Sequence, residues 1–278
     1  MALKLMYITN RPEVARIAEA AGVDRIFVDM EYIGKSERQG GMDTVQSHHT
    51  VEDVRAIRES LTTAELLVRV NPIHEAAAEY GSSEEEIDAV IEAGADIVML
   101  PYFTSAEEVQ RFVRAVDGRA RTLPLLESAK AAAAVDEILA VPGIDEIYVG
   151  LNDLSLDLGK KFMFEPLADG TVEQLCVKFK HKGIPYGFGG IAAPGKGMLP
   201  SEYIIREHYR LGSTCVILSR SFCNTSVMTD PEEIRAVFTA GVRAVRAVEA
   251  ECEAHSRYFR DNEREVAERV RRICGGEQ

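Results

Sequence analysis

The sequence predicts an α/β fold of the (β/α)8 barrel class with additional C-terminal helices. Eight short apolar runs alternate with amphipathic helical patterns along 278 residues, and a single barrel commonly runs to about 250 residues. The runs are almost continuously hydrophobic, as parallel strands buried on both faces require. The connections also alternate in length. Helix-to-strand returns such as EAAGVD, EAGAD and AVPGID are short, whereas the segments after strands two, three, six and seven, about residues 34–50, 72–83, 154–172 and 190–202, are long. In a barrel the long connections share one end, where ligands bind. A doubly wound open sheet is the alternative, but no Gly-x-Gly-x-x-Gly follows the first run.

The predicted strands are LKLMYIT (3–9), DRIFVDM (24–30), ELLVRVN (65–71), DIVMLPY (96–102), TLPLLES (122–128), EIYVGLN (146–152), IPYGFGG (184–190) and TCVILSR (214–220). Between them PEVARIAEAAG carries Pro12 in its first turn and Gly22 as its stop. Thr50 and Asp53 form an Asp variant of the capping box, and Ser105 caps SAEEVQRFVRAV. SSEEEIDAVIEAG ends at Gly94, and AKAAAAVDEILAV is built from the best helix former. Residues 1–228 complete the barrel. Residues 229–278 form a helical extension, opened by Asp230 and Pro231, whose first helix runs to about Arg260 before a second over EREVAERVRRI. Ile234, Phe238, Val242, Val245 and Val248 make an apolar stripe, which closes the barrel bottom or buries itself in a neighbouring subunit.

Composition narrows the function. The formal net charge is −13, from 45 acidic and 32 basic residues without a block of one sign, which argues against nucleic acid and anionic membranes as partners. Five cysteines form no Cys-x-x-Cys pair, so neither a disulfide framework nor a zinc knuckle is expected. No basic and apolar leader opens the chain and no run is long enough to span a membrane. A cytoplasmic location is the expectation.

Three charged residues fall at equivalent places. Arg69 ends strand three, Glu127 ends strand five and Asp153 follows strand six. Strands five and six are neighbours, so two carboxylates can converge at the mouth, a donor set that suits Mg²⁺, Mn²⁺ or another hard divalent cation. Arg69 would then meet an anionic substrate. Structural alternatives stand beside this reading: an ion pair of Glu127 with Lys130, a helix cap at Asp153, and a structural partner for Arg69.

The fragments GVDRIFVDME, LLVRVN, GADIVMLPYFTSAEEV and LLESAKAAAAVDEILAVPGIDEIYVGLNDLSLDLG resemble the HpcH/HpaI aldolase/citrate lyase family, colinearly over most of residues 8–160. The spaced Glu…Gly-x-x-Asp-Leu-Ser-x-x-Leu-Gly arrangement is the specific part. The resemblance implies a metal-dependent barrel that makes or breaks carbon–carbon bonds through an enolate. Glu127 and Asp153 match its divalent-ion ligands, and Arg69 matches the residue that contacts substrate and enolate oxygen. It also implies a homo-oligomer that exchanges C-terminal helices. A 2-oxo acid such as pyruvate chelates the ion, and the backbone around Gly150, Leu151 and Asn152 is the candidate site for its carboxylate.

Two positions depart from the family pattern. Its hydroxy-oxo-acid aldolases usually read Asp-x-Glu-His after strand two, whereas this chain reads Asp29-Met30-Glu31-Tyr32, and Leu125 stands where Gln is usual. Tyrosine titrates near 10 and is a poor base at neutral pH. His48 or His49, in the long segment after strand two, is the candidate replacement, each with a packing role against the next helix as the alternative. His74 is a weaker candidate. Lys35, Arg11 and Arg220 are candidate anion contacts or solvated charges.

The expected function is a divalent-metal carbon–carbon lyase (aldolase) acting on a small 2-oxo acid and aldehyde adduct. A CoA-thioester lyase of the citrate or malyl type needs a basic cluster for nucleotide phosphates, which the sequence does not display. A non-catalytic metal- or ligand-binding member is the reading outside catalysis. Schiff-base chemistry is disfavoured because no predicted strand ends in Lys.

Overall fold

The computed structural model describes residues 2–35, 49–254 and 259–275. The eight expected strands are β1 (Lys4–Ile8), β2 (Arg25–Asp29), β3 (Glu65–Arg69), β4 (Ile97–Leu100), β5 (Arg121–Leu126), β6 (Ile147–Val149), β7 (Tyr186–Ile191) and β8 (Cys215–Leu218). All pair in parallel in chain order, and β8 closes on β1. The interior is packed by Met6, Phe27, Leu67, Met99, Leu123 and Tyr148, among others. The outward strand faces bury against the helices in a second, larger core. This double burial explains why the strands read as continuous apolar runs rather than alternating ones.

The barrel floor is ionic. Arg25, fully buried at the start of β2, donates to both oxygens of Glu146 at 2.8 and 2.6 Å and to Glu65 at 2.8 Å. Arg121 at the start of β5 joins Glu65 and Glu146. Each carboxylate therefore meets two guanidinium groups, the condition under which buried charge is tolerated.

The helices are α1 (Pro12–Ala20), α2 (Val51–Ser60), α3 (Ser83–Glu92), α4 (Ala106–Val116), α5 (Ala129–Ala133), α6 (Val135–Ile138), α7 (Leu151–Asp157), α8 (Glu165–Ala168), α9 (Thr171–Lys182), α10 (Ser201–Leu211), α11 (Pro231–Ala254) and α12 (Phe259–Gly275). Thr50 with Asp53, Ser82 with Glu85 and Ser105 with Glu108 form reciprocal capping boxes at α2, α3 and α4. The alanine-rich segment 129–141 is not one helix. It breaks at Ala134 (φ −91°, ψ 14°), and Ala131, Val135 and Ile138 all reach the core. Alanine propensity favours helix uniformly and carries no signal for that break. The segment after β6 is likewise not a loop: α7 starts directly behind Gly150, and α8 follows.

α11 packs on α1 and α10, with Phe238 edge-on to Tyr7 at 4.8 Å and Glu249 accepting the Leu3 N–H at 2.6 Å. α12 packs on α10 and α8, where Asn262 donates to Glu207 at 2.7 Å. No helix among the described residues is long and apolar enough to cross a membrane. Among them, Cys176, Cys215, Cys223 and Cys252 are buried thiols and Cys274 is partly exposed.

His208 on α10 is fully buried, stacked on Phe188 at 3.9 Å, with Nδ1 2.8 Å from the Ser213 hydroxyl. Burial pushes it down to about 3, against about 6.5 in an unfolded chain. Below that unfolded value the denatured chain binds a proton that the native one refuses. The contribution of neutral His208 is thus complete above about pH 6.5 and is lost as pH falls, at about 1.4 kcal/mol per unit. Urea denaturation at pH 7.5 and 5 is expected to show the native protein losing about 2 kcal/mol more than a His208→Gln variant.

Candidate active site

Asp29 and Arg69 are register partners at the ends of β2 and β3, so their side chains leave the sheet side by side. Arg69 grips Asp29 with two parallel hydrogen bonds, Nε to Oδ1 at 2.8 Å and Nη2 to Oδ2 at 2.7 Å. Its Nε also lies 3.4 Å from Glu31. Lys35 places Nζ 3.1 Å from Asp29 and 3.2 Å from Glu31. Asp29, Glu31 and Lys35 are all buried, and the Arg69 side chain is 14 % exposed. Lys35, open to reading as a solvated charge from sequence, is instead an integral part of a four-charge cluster. Burial opposes ionisation of Asp29, but the charges and hydrogen bonds of Arg69 and Lys35 outweigh it and hold the carboxyl below its ordinary range. Burial likewise penalises the Arg69 cation, and Asp29, Glu31 and Glu127 more than compensate. The structural partner weighed for Arg69 is therefore present, and that partner itself lines the cavity described below.

His49 reaches the same place from the start of α2. Its Nδ1 accepts the Asp29 backbone N–H at 3.0 Å. A ring that accepts at Nδ1 is neutral with its proton on Nε2. Burial lowers its basicity further. His49 therefore presents a hydrogen-bond donor, not the proton acceptor expected of a replacement base. His48 lies outside the described residues. Tyr32 turns elsewhere: it is 47 % exposed, its N–H and that of Ile33 donate to Asn71 Oδ1 at 2.9 Å, and it lines a 260 Å³ cavity with His74 and Tyr80. His74 is committed there, with ring nitrogens 2.7 Å from Pro72 O and 3.1 Å from Gly81 O.

Glu127 and Asp153 are both buried. Glu127 follows β5 and accepts the N–H of Tyr102 at 3.1 Å. Tyr102 holds a left-handed φ of 44°, strain that a non-glycine residue bears where the surroundings fix it. Asp153 is the third residue of α7, oriented by Asn152 Nδ2 at 3.0 Å. It lies in the first turn rather than capping the helix, whose N-cap is Gly150. Gly150 ties the two acids together. A Cβ at this position would sit 2.6 Å from Glu127 Oε2 and 2.9 Å from Glu127 Cβ, so only glycine lets the carboxylate lie against the chain that launches α7. The Gly150 N–H is spent on Leu126 O at 2.9 Å. That corrects the expectation of Gly150 as a carboxylate donor: parallel pairing of β5 with β6 continues one residue past the strand. Leu151 is buried as the first residue of α7, and the Asn152 side chain is engaged by Asp153.

The cavities divide the mouth. One, of 440 Å³, is lined by Arg69, Asp29, Lys35, His49, Arg11 and Arg220 among others. An adjoining 410 Å³ cavity shares Arg220 and adds Lys196. Asp153 and Tyr102 line a separate depression of 250 Å³. Glu127 connects the two sides, held by Tyr102 on one and acting electrostatically on Arg69 on the other. Sequence reading singled out Arg69, Glu127, Asp153 and His49 at this mouth but assigned no part to Asp29 or Glu31. Two carboxylates one residue apart at a strand end, with Lys four positions after the second, were the available signal.

The model of the HpcH/HpaI aldolase/citrate lyase family matches residues 4–165, which include every strand from β1 to β6 and both acids. The chain belongs to this family. Among relatives of this family member, the (3S)-malyl-CoA thioesterase of Cereibacter sphaeroides is 27% identical over 182 residues, covering 62% of this chain and 57% of the relative. The hydroxypyruvate/pyruvate aldolase of Paraburkholderia phytofirmans is 30% identical over 172 residues, covering 50% and 59%. The chain thus spans less than two thirds of either relative. A solved family structure from Burkholderia cenocepacia superposes with a TM-score of 0.60 at 17% identity, over 84% of this chain and 95% of that one; at that identity the likeness establishes the fold.

Removing Asp29 strips Arg69 and Lys35 of a shared buried partner. Asp29→Ala is expected to cost about 3 kcal/mol in urea denaturation, with Asp29→Asn, which keeps an acceptor oxygen, costing less.

Proposed function

We propose that this family member is a divalent-metal-dependent carbon–carbon lyase that cleaves or forms a small 2-oxo acid adduct through a pyruvate-type enolate. The observation that carries this is the fit of Glu127 over Gly150. A carboxylate occupies the space a Cβ would fill, on the turn that carries Asp153. Two buried carboxylates give a hard, anionic donor set that leaves most positions of an octahedral ion to water and substrate. Glu127 and Asp153 would hold Mg²⁺ or Mn²⁺, which when bound supplies Lewis-acid stabilisation of charge on the 2-oxo oxygen.

The chain's own groups supply the rest. Arg69, fixed by Asp29, presents a permanent cation toward that charge. Its bidentate clamp means the guanidinium needs no reorientation as the charge develops. His49 offers its Nε2–H as a neutral donor beside it. Burial of the cluster strengthens each of these interactions relative to water.

A second reading is a CoA-thioester lyase. The basic cluster that the sequence did not display is present in three dimensions: Arg11, Arg220 and Lys196 fall along the two adjoining cavities, and the Cereibacter relative is named for a CoA thioester. The small-acid reading ranks first because it requires only the acids and Arg69.

Chelation should abolish pyruvate–aldehyde exchange, and added Mg²⁺ or Mn²⁺ should restore it. Glu127→Gln and Asp153→Asn are expected to lower turnover at least ~100-fold, and Gly150→Ala to weaken Mn²⁺ binding by displacing Glu127. Full turnover in chelated protein contradicts the proposal. Saturable CoA-thioester binding lost in Arg220→Ala favours the second reading.

A further inference from the structure

The groups around the 440 Å³ cavity can be ranked by whether they can give up a proton. Arg69, Arg11 and Arg220 keep theirs under all ordinary conditions. Neutral His49 holds its remaining proton on Nε2 and is a far weaker acid than an imidazolium. Tyr7 also lines the cavity, but its hydroxyl donates to Cys223 O at 2.9 Å and burial pushes it up to about 12. Burial raises the Cys223 thiol as well. Lys35 is distinguished by its placement. Its ammonium directs protons at Asp29 and Glu31, at 3.1 and 3.2 Å, while lining the cavity beside Arg69 and His49. An ammonium has three protons to place.

Resting on the lyase reading above, we propose that Lys35 is the catalytic acid that protonates the enolate carbon. In the cleavage direction the C3–C4 bond of the adduct breaks and its electron pair enters the enolate. The C4 hydroxyl releases its proton to solvent as the aldehyde forms. C3 then takes a proton from the Lys35 ammonium, and the amine regains one from solvent, so one proton is released and one consumed. Asp29 and Glu31 hold the ammonium in one place through the cycle, at 3.1 and 3.2 Å, on the wall of the cavity that Arg69 and His49 also line. In the synthetic direction the ammonium first releases a proton to solvent, and the resulting neutral amine then takes one from C3 of the 2-oxo acid, so again one proton is released and one consumed. Asp29, Glu31 and Arg69 act through Lys35 here as positioning residues.

Proton transfer can be read without carbon–carbon chemistry. The full chain with pyruvate and Mg²⁺ in D₂O is followed by NMR for loss of C3 protons, with oxalate binding measured by calorimetry. Wild type is expected to exchange, and Lys35→Met and Lys35→Arg to exchange at least ~100-fold more slowly while Lys35→Arg still binds oxalate. Arginine keeps the charge and can pair with both carboxylates, so it separates proton donation from charge balance and remains informative if Lys35→Met fails to fold. Exchange by Lys35→Arg within a few-fold of wild type overturns the inference alone, as does loss of oxalate binding in Lys35→Arg, which assigns Lys35 to binding instead. Absence of exchange in wild type overturns the lyase reading and this inference with it.

Discussion

Two carboxylates and two cations are buried together where β2 and β3 open into the barrel mouth. None of Asp29, Glu31, Arg69 and Lys35 can be afforded alone in that setting, because desolvation of one charge costs several kcal/mol. Their alternation around shared oxygens offsets that penalty and fixes each side chain. Arg69 is held by two bonds to Asp29, the Asp29 backbone N–H holds His49, and Lys35 bridges the two acids. The chain between residues 29 and 35 follows from that clamp, and so does the direction in which three hydrogen-bond donors face the 440 Å³ cavity.

The barrel carries a second buried ionic cluster at its other end, around Arg25, Glu65, Arg121 and Glu146. The two obey the same rule of alternating charge, but Arg25 is enclosed beneath the packed interior. The mouth cluster borders 440 Å³ of open space. In barrels the strand C-terminal ends carry chemistry and the opposite ends carry stability, and the placement of these clusters follows that division. Glu127 extends the charged rim toward β6, where the missing side chain of Gly150 makes room for it.

Much of this was legible in the sequence. Strand order, the capping box at Thr50, the cap at Ser105, and the positions of Arg69, Glu127 and Asp153 at or just past strand ends all rest on local patterns, and local patterns survive folding. What escaped depended on pairs distant in the chain. Nothing around Lys35 reveals that Asp29 and Arg69, forty positions apart, face each other in register and that Lys35 closes the gap. Nothing in His49 reveals that its Nδ1 meets a backbone N–H, which turns an expected base into a donor. Gly150 read as part of a backbone site for a carboxylate, whereas what it supplies is the absence of a side chain beside Glu127. Arg11 and Arg220 stood out singly as candidate anion contacts, but their alignment with Lys196 along adjoining cavities did not, because the three come from separate connections.

The proposed chemistry requires the mouth acids and the Arg69 clamp to face one reacting molecule across the two cavities that Arg69 and Asp153 line. Crystals grown with Mn²⁺ and oxalate, a planar mimic of the enolate, test this directly by anomalous scattering. The account predicts a single manganese peak liganded by Glu127 and Asp153, with oxalate oxygens on the ion and within hydrogen-bonding distance of Arg69. Manganese elsewhere, or oxalate bound away from Arg69, contradicts it.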